Sequence, residues 1–306
     1  MLLPLGILGT FWLNNFLKET YILRKSELEK SIGNTLDKNI DLGDYVGLRF
    51  LGVSLGNSKI NDKKNIDSEI QAKNVYVGIM PFRSFFKQKW IIKIKPEQTV
   101  INIDRDFFKS NKSYGKSRIA KKSKLKYDLN FIVNKYSILK LKKYGLETKV
   151  KGNVIYKSSN REIIANVKSN FDGKGHLNFK FNRKPKQDFL ELGLFSRGLD
   201  LENSEYIFGN RKISFKNGNF KSNFQFNKSS TQTFCKGEFS FADLTIKPEN
   251  LSENINSEST RFFCKDKNLL GNSENLNYGT LNSNFNLNVP LNKSSKIIDI
   301  KGSIGY

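Results

Sequence analysis

Histidine is almost missing from this chain of 306 residues, which holds one, and cysteine is nearly as scarce at two. A lone histidine excludes a His-pair metal site and a Ser-His relay built within the chain. Cys235 and Cys264 are too few for a disulfide framework and have no metal-ligand spacing. Each sits beside an aromatic residue in a strand-like run, TFC and FFC, which leaves both a disulfide and a pair of buried thiols open. Alanine is nearly absent, lysine far outnumbers arginine, and asparagine and isoleucine abound, the pattern of an AT-rich coding sequence. Acidic residues are also under-represented, 29 against 52 basic ones, for a net charge of +23.

That charge would draw nucleic acid or anionic lipid headgroups. Lysines at alternate positions, such as Lys93 and Lys95 or Lys149 and Lys151, read instead as the solvated face of a sheet. Gly173, Gly175 and Gly218 match no phosphate-binding spacing and read as turn residues. Asp104 and Asp106, in an IDRD run, read as a solvated turn rather than a general acid and base. His176 reads as a solvent-facing strand histidine. The chain therefore reads as a non-enzyme, with no cofactor or metal expected.

Long hydrophobic runs are lacking too. Residues 1–13 are apolar, but Asn14, Asn15 and Lys18 interrupt them, and about 20 Å of helix falls short of the roughly 30 Å hydrocarbon core. There is no basic segment before the run and no small-residue cleavage site after it, which argues against a cleaved signal peptide. The expectation is an uncleaved, single-pass membrane anchor. Trp12, Phe16, Ile22 or Leu23, and Leu28 recur at helical spacing, so residues 1–32 are assigned to anchor and helix.

Beyond Gly33 the periodicity changes to two, in short runs punctuated by glycine, asparagine and aspartate. Residues 33–108 read as a first β region, with PFRSFFKQK (81–89) as a loop or helical turn and a break at Pro96. Residues 109–126, rich in lysine and serine, read as a flexible basic linker. Residues 127–306 read as an elongated β-sheet region. Asp172-Gly173 marks a turn, and Asn217-Gly218 predicts a two-residue hairpin that sets Phe215 opposite Phe220. The phenylalanines alternate in phase with leucine, isoleucine and valine. That phasing segregates them from the lysines, whereas a base-stacking platform would mix the two, so nucleic acid is not expected as a partner.

Several segments together carry a family resemblance: LEKSIG (28–33), DLG (41–43), GLRFLGV (47–53), EIQAKNVYV (69–77), the Pro81-Phe82 turn, WIIKI (90–94) and INID (101–104). FFC (262–264) and NYG (277–279) add to it less specifically. This pattern resembles the N-terminal portion of the TamB/AsmA-like family, the translocation and assembly module components with long cyanobacterial members and chloroplast inner-envelope relatives. The resemblance implies a mainly β protein: an N-terminal membrane-anchor helix followed by an open, curved antiparallel β-sheet with an apolar concave face. It implies an inner-membrane location with the bulk in the periplasm, and a role in intermembrane phospholipid transport and outer-membrane protein assembly. Implied partners are phospholipid acyl chains, the inner membrane and an Omp85-type outer-membrane barrel, the last through a C-terminal part beyond this sequence.

A sheet with one apolar face and no helices to cover it must fold over on itself or be covered by acyl chains. The candidate groove positions are Leu177, Phe179, Phe181, Phe215, Phe220, Phe224, Phe226, Phe285 and Leu287. A closed sandwich core, a purely structural scaffold and a soluble basic nucleic-acid binder are the competing readings.

Overall fold

A computed structural model describes residues 2–63, 68–103, 126–141, 146–208, 211–265, 267–291 and 298–305. The expected linker at 109–126 lies outside these residues except for Lys126, as do Asp104 and Asp106. Strand makes up 70% of the structure, which sets its class as mainly β, and the sheet is open and mixed. The chain forms two compact units, Met1–Leu141 with Ile155–Ser159, and Lys142–Val154 with Asn160–Tyr306.

The first unit begins with α1 (Leu2–Leu36), followed by β1 (Lys38–Asp41), β2 (Tyr45–Arg49), β3 (Gly52–Leu55), β4 (Ser58–Asp62), β5 (Glu69–Ile79), α2 (Pro81–Lys87), β6 (Trp90–Asn102) and β7 (Tyr127–Leu141). β5 is its spine: β3 and β4 pair with one edge, β6 with the other, and β2 and β1 add outside β3 and β4. All of these pairs are antiparallel, but β7 joins β6 in parallel. The expectation of a purely antiparallel sheet is corrected here. The connection from Asn102 to Tyr127 is long enough for the crossover that a parallel pair demands.

The single-pass anchor is also corrected. Among the described residues no helix is long and apolar enough to cross a membrane. The physical reason lies within α1, where the apolar run yields to Asn14, Asn15, Lys18 and Glu19 well before a bilayer is spanned. The polar side chains of that second stretch dock the helix on the sheet. Asn14 Oδ1 accepts hydrogen bonds from the Leu48 amide at 2.9 Å and the Tyr45 hydroxyl at 3.0 Å. The Tyr21 hydroxyl donates to the Gly43 carbonyl at 2.6 Å, and Glu29 accepts from the Leu42 amide at 2.9 Å. Burial, reinforced by Glu29, Asp44 and Asp41, pushes the Tyr21 hydroxyl up to about 12.

Pro96 does not break its strand. β6 runs through it, and Pro96 sits opposite Val75 on the β5 side. On the other side the β6–β7 ladder is interrupted between Ile94 and Val100, where the missing proline N–H costs nothing. Two well-buried ion pairs lock the unit: Lys38 to Asp62 across β1 and β4, and Lys89 to Asp128 beside β6 and β7, each at 2.6 Å.

The second unit is a meander. It comprises most of β8 (Leu146–Lys157), then β9 (Glu162–Phe171), β10 (Gly175–Lys184), β11 (Phe189–Asp200), β12 (Ser204–Phe208), β13 (Arg211–Lys228), β14 (Thr233–Pro248), β15 (Ile255–Lys265), β16 (Asn268–Tyr278), β17 (Leu281–Pro290) and β18 (Asp299–Gly305). The Thr148 hydroxyl donates to the Asn170 carbonyl at 3.0 Å, setting β8 beside β9. From β9 onward each strand pairs antiparallel with the next, except that β11 and β12 lie end to end along the single long β13. The turn at Asp172-Gly173 joins β9 to β10, with Gly173 at φ 77°.

Asn217-Gly218 is not a hairpin. β13 continues through it, and the dipeptide makes bulges against β14, with Gly218 at φ 147°. The chain reverses instead between the paired residues Phe208 and Arg211, whose connecting dipeptide in the sequence is Gly209-Asn210. Cys235 and Cys264 form a disulfide across β14 and β15, Cα to Cα 5.6 Å. Closing a loop across a sequence separation of 29 contributes about 2–4 kcal/mol.

Gly237, at φ 86° beside this disulfide, tests how tightly the meander is drawn: a Cβ there would lie 1.9 Å from the Asn223 carbonyl oxygen. Gly237→Ala is expected to cost about 3 kcal/mol or more, from left-handed backbone and the clash combined. Urea unfolding would read this as a lower midpoint. An unchanged midpoint would mean that the two strands are not this close.

Candidate functional site

Backbone register decides which side chains of the second unit share a face, because partners across an antiparallel ladder point the same way. Ala165, Phe181, Leu192, Phe226 and Cys235 form one such row. Val167, Phe179, Leu194, Phe224 and Gly237 form the next. A third runs from Ser222 through Phe239, Phe262 and Gly271 to Leu287 and Ile300. A fourth runs from Leu199 through Phe220, Phe241, Thr260 and Ser273 to Phe285. Phe215 aligns with Ile246, Ile255 and Tyr278, and Leu177 with Ser169.

The candidate positions thus all occupy this unit, but they are not equivalent. Phe220, 8% exposed, centres a cluster with Leu199 and Leu201 against which Phe215 and Leu177 pack. Phe179, at 37%, is the most open. Phe181, Phe224, Phe226, Phe285 and Leu287 are half-buried. The rings pack laterally on one another: Phe220 lies 5.1 Å from Phe241, Phe224 meets Phe239 edge-on at 5.3 Å, and Phe239 stacks on Phe262 at 4.7 Å. Each such contact adds about 0.5–1.5 kcal/mol. Tyr206 meets Phe215 edge-on at 5.4 Å, and burial raises its hydroxyl above the usual tyrosine value. Among the described residues no side chain of the large type is completely buried, and the second unit contains no α-helix.

The opposite face is mostly polar and charged, and departs from a strict segregation of phenylalanine from lysine by carrying Phe195 and Phe263. Lys180 lies 5.2 Å over the Phe195 ring and Arg261 5.5 Å over Phe263, with Arg261 also bonded to Glu238 at 3.0 Å. Among the described residues no cluster of histidine, cysteine, aspartate or glutamate is arranged to hold a metal. His176 is exposed on β10.

Two features escaped the sequence reading. The first is a hydroxyl triad set into the aromatic rows, with Ser257 to Thr260 at 2.9 Å, Ser257 to Ser273 at 2.9 Å and Thr260 to Ser273 at 3.0 Å, all buried. Serine and threonine in an alternating strand carry no signal for it, since it forms only when two adjacent strands bring them together. The second is an apolar cavity of about 1150 Å³ in the first unit, lined by Leu17, Leu51, Val77, Phe85, Trp90 and Ile92 among others. Its signal was the density of phenylalanine in PFRSFF, which no strand or long helix could absorb.

Ser273 is 2% exposed and bonds both other hydroxyls. Ser273→Ala removes one hydrogen bond from each of Ser257 and Thr260, which keep each other, and is expected to destabilise by about 0.5–1.5 kcal/mol. Thermal unfolding would register the loss, and a melting temperature equal to that of the native chain would show the triad to be solvated.

Comparison with known proteins adds no relative: no family model, no curated protein and no solved structure matches the chain.

Proposed function

We propose that this chain handles lipid through the second unit's phenylalanine-rich face, in the manner of a TamB/AsmA-like protein acting in phospholipid transport between membranes and in outer-membrane protein assembly. The observation that carries the reading is the register: Phe179, Phe181, Phe224 and Phe226 belong to two adjacent rows shared with Leu192 and Leu194. Acyl chains lie along these rows while polar headgroups stay in solvent. Each methylene withdrawn from water contributes about 0.8 kcal/mol, so a few partly covered chains suffice for retention without any directional bond. Such a surface holds lipid loosely and lets it slide, which suits transport better than a closed pocket does.

Placing a photo-crosslinking residue at Phe224, and at Asn223 as the control on the other face, tests this in cells. Lipid adducts are expected at position 224 and not at 223. Adducts at neither position, from folded protein, would leave a structural scaffold whose phenylalanines serve only one another.

A further inference from the structure

The aromatic residues of the first unit that its sheet does not use gather at one end. α2 carries Phe82, Phe85 and Phe86 at the i, i+3, i+4 spacing of one helix face, 80%, 80% and 81% exposed, and none of its residues is buried. The helix is nonetheless clamped. The Met80 amide donates to the Ile91 carbonyl at 2.9 Å, and Ser84 turns inward so that its Oγ accepts from the Ile91 amide at 2.9 Å. With Ser84 inward, the phenylalanines are held out in solvent.

Neighbouring elements extend the display. At the β2–β3 tip Phe50 is 87% exposed, and the Tyr76 hydroxyl holds its carbonyl at 2.8 Å. The Ile79 amide donates to the Leu51 carbonyl at 2.9 Å, which ties that tip to the start of α2. α1 bonds Gly43 through Tyr21 and Leu48 through Asn14, so its course toward earlier residues leads past this tip to the exposed Phe11 and Trp12. The apolar cavity lies among α1, the tip and α2.

Charge says what covers this end. Arg83 and Lys87 flank the α2 phenylalanines, and Lys93 and Lys95 follow on β6. Among the described residues none of the four has an acidic partner, whereas Lys89 beside them is neutralised by Asp128. Lys93 is held below the ordinary lysine range by burial, then by Lys95 and Arg83. Uncompensated cations crowded beside exposed rings match a partner that offers phosphate and hydrocarbon a few ångströms apart.

We propose that this end of the first unit docks on the surface of an anionic phospholipid bilayer, with Phe50, Phe82, Phe85 and Phe86 entering the headgroup–acyl boundary and Arg83, Lys87, Lys93 and Lys95 meeting lipid phosphates. The contact is interfacial and requires no spanning helix. The cavity beneath α2 gives an acyl segment room between the two helices. This surface is independent of whether the second unit's face carries lipid.

The chain's two tryptophans, Trp12 and Trp90, both lie at this end, 68% and 50% exposed, so intrinsic fluorescence reports on it directly. With vesicles of phosphatidylglycerol and phosphatidylcholine, the emission is expected to shift to the blue, to be quenched by brominated acyl chains, and to recover partly at high salt. The triple variant Phe82→Ser, Phe85→Ser, Phe86→Ser, which alters only exposed side chains, is expected to lose vesicle affinity about tenfold or more, equivalent to about 1.4 kcal/mol. Arg83→Gln with Lys87→Gln is expected to weaken binding at low salt. Absence of binding by the native chain, or equal binding by the triple variant, would overturn the proposal. So would a dimer in light scattering that disappears in the triple variant, since a second copy would then be what covers the patch.

Discussion

The phase of side-chain alternation, handed from strand to strand through the backbone ladder, is the constraint on which the second unit depends. A slip of one residue in any strand would turn the residues it contributes to the four apolar rows to the lysine side. The chain does slip locally, and it compensates. Asp243 and Asn275 adopt positive φ, 50° each, two strands apart in the same part of the meander. Beyond Asp243, Leu244 and Ile246 take over from Phe239 and Phe241, and Ser257 opposite Leu244 still reaches Thr260 and Ser273. Aspartate and asparagine tolerate this conformation better than most residues, so β14 and β16 correct their phase without glycine, while β13 makes its own correction opposite Asp243 at Gly218. The hydroxyl triad sits where the phases are exchanged, and its mutual hydrogen bonds satisfy groups that the irregular ladder buries.

The first unit rests on different physics. Its helix is attached by polar side chains, Asn14, Tyr21 and Glu29, to backbone groups of the β1–β2 region. Such an attachment is directional and fixes the helix in both rotation and translation, where a purely apolar stripe would leave it free to slide. It also bears on why, among the described residues, no helix is long and apolar enough to cross a membrane. Asn14, which ends the apolar run, is one of the residues that bond the sheet, and burying it in lipid would strand its partners at several kcal/mol.

Much of this was legible in the sequence. Period-two alternation disclosed the strands, and its phase disclosed which phenylalanines belong together, because a pleated strand leaves no other arrangement. The turn at Asp172-Gly173 was visible as well, from its turn-forming residue pair. What failed were judgements in which a local signal competes with the ladder. Asn217-Gly218 carries an ideal hairpin dipeptide, yet the pairing of β13 with β12 before it, with β11 after it and with β14 around its bulges outweighs one turn, and Gly209-Asn210 separates the strands that do reverse. Pro96 reads as a break, but a strand can carry proline where the neighbouring ladder is already interrupted. The parallel β6–β7 pair and the Cys235–Cys264 bond depend on which strands become neighbours, which periodicity does not encode.

The chain's large positive charge finally separates into two kinds when pairing is considered. In the second unit several cations are engaged: Arg261 with Glu238 and the Phe263 ring, Lys212 with Glu205, Lys149 with Asp172, Lys180 over Phe195. Glu205 is accordingly held below the usual carboxylate range, first by its hydrogen bond to Lys212. These lysines cover aromatic edges and keep the polar face in water, the work expected of a solvated strand face. Around α2 the opposite holds, since the aromatics are uncovered and Arg83, Lys87, Lys93 and Lys95 have no acid among the described residues. What sets this end apart is therefore neither the net charge nor unpaired cations alone, but unpaired cations next to phenylalanine rings that no other part of the described chain covers.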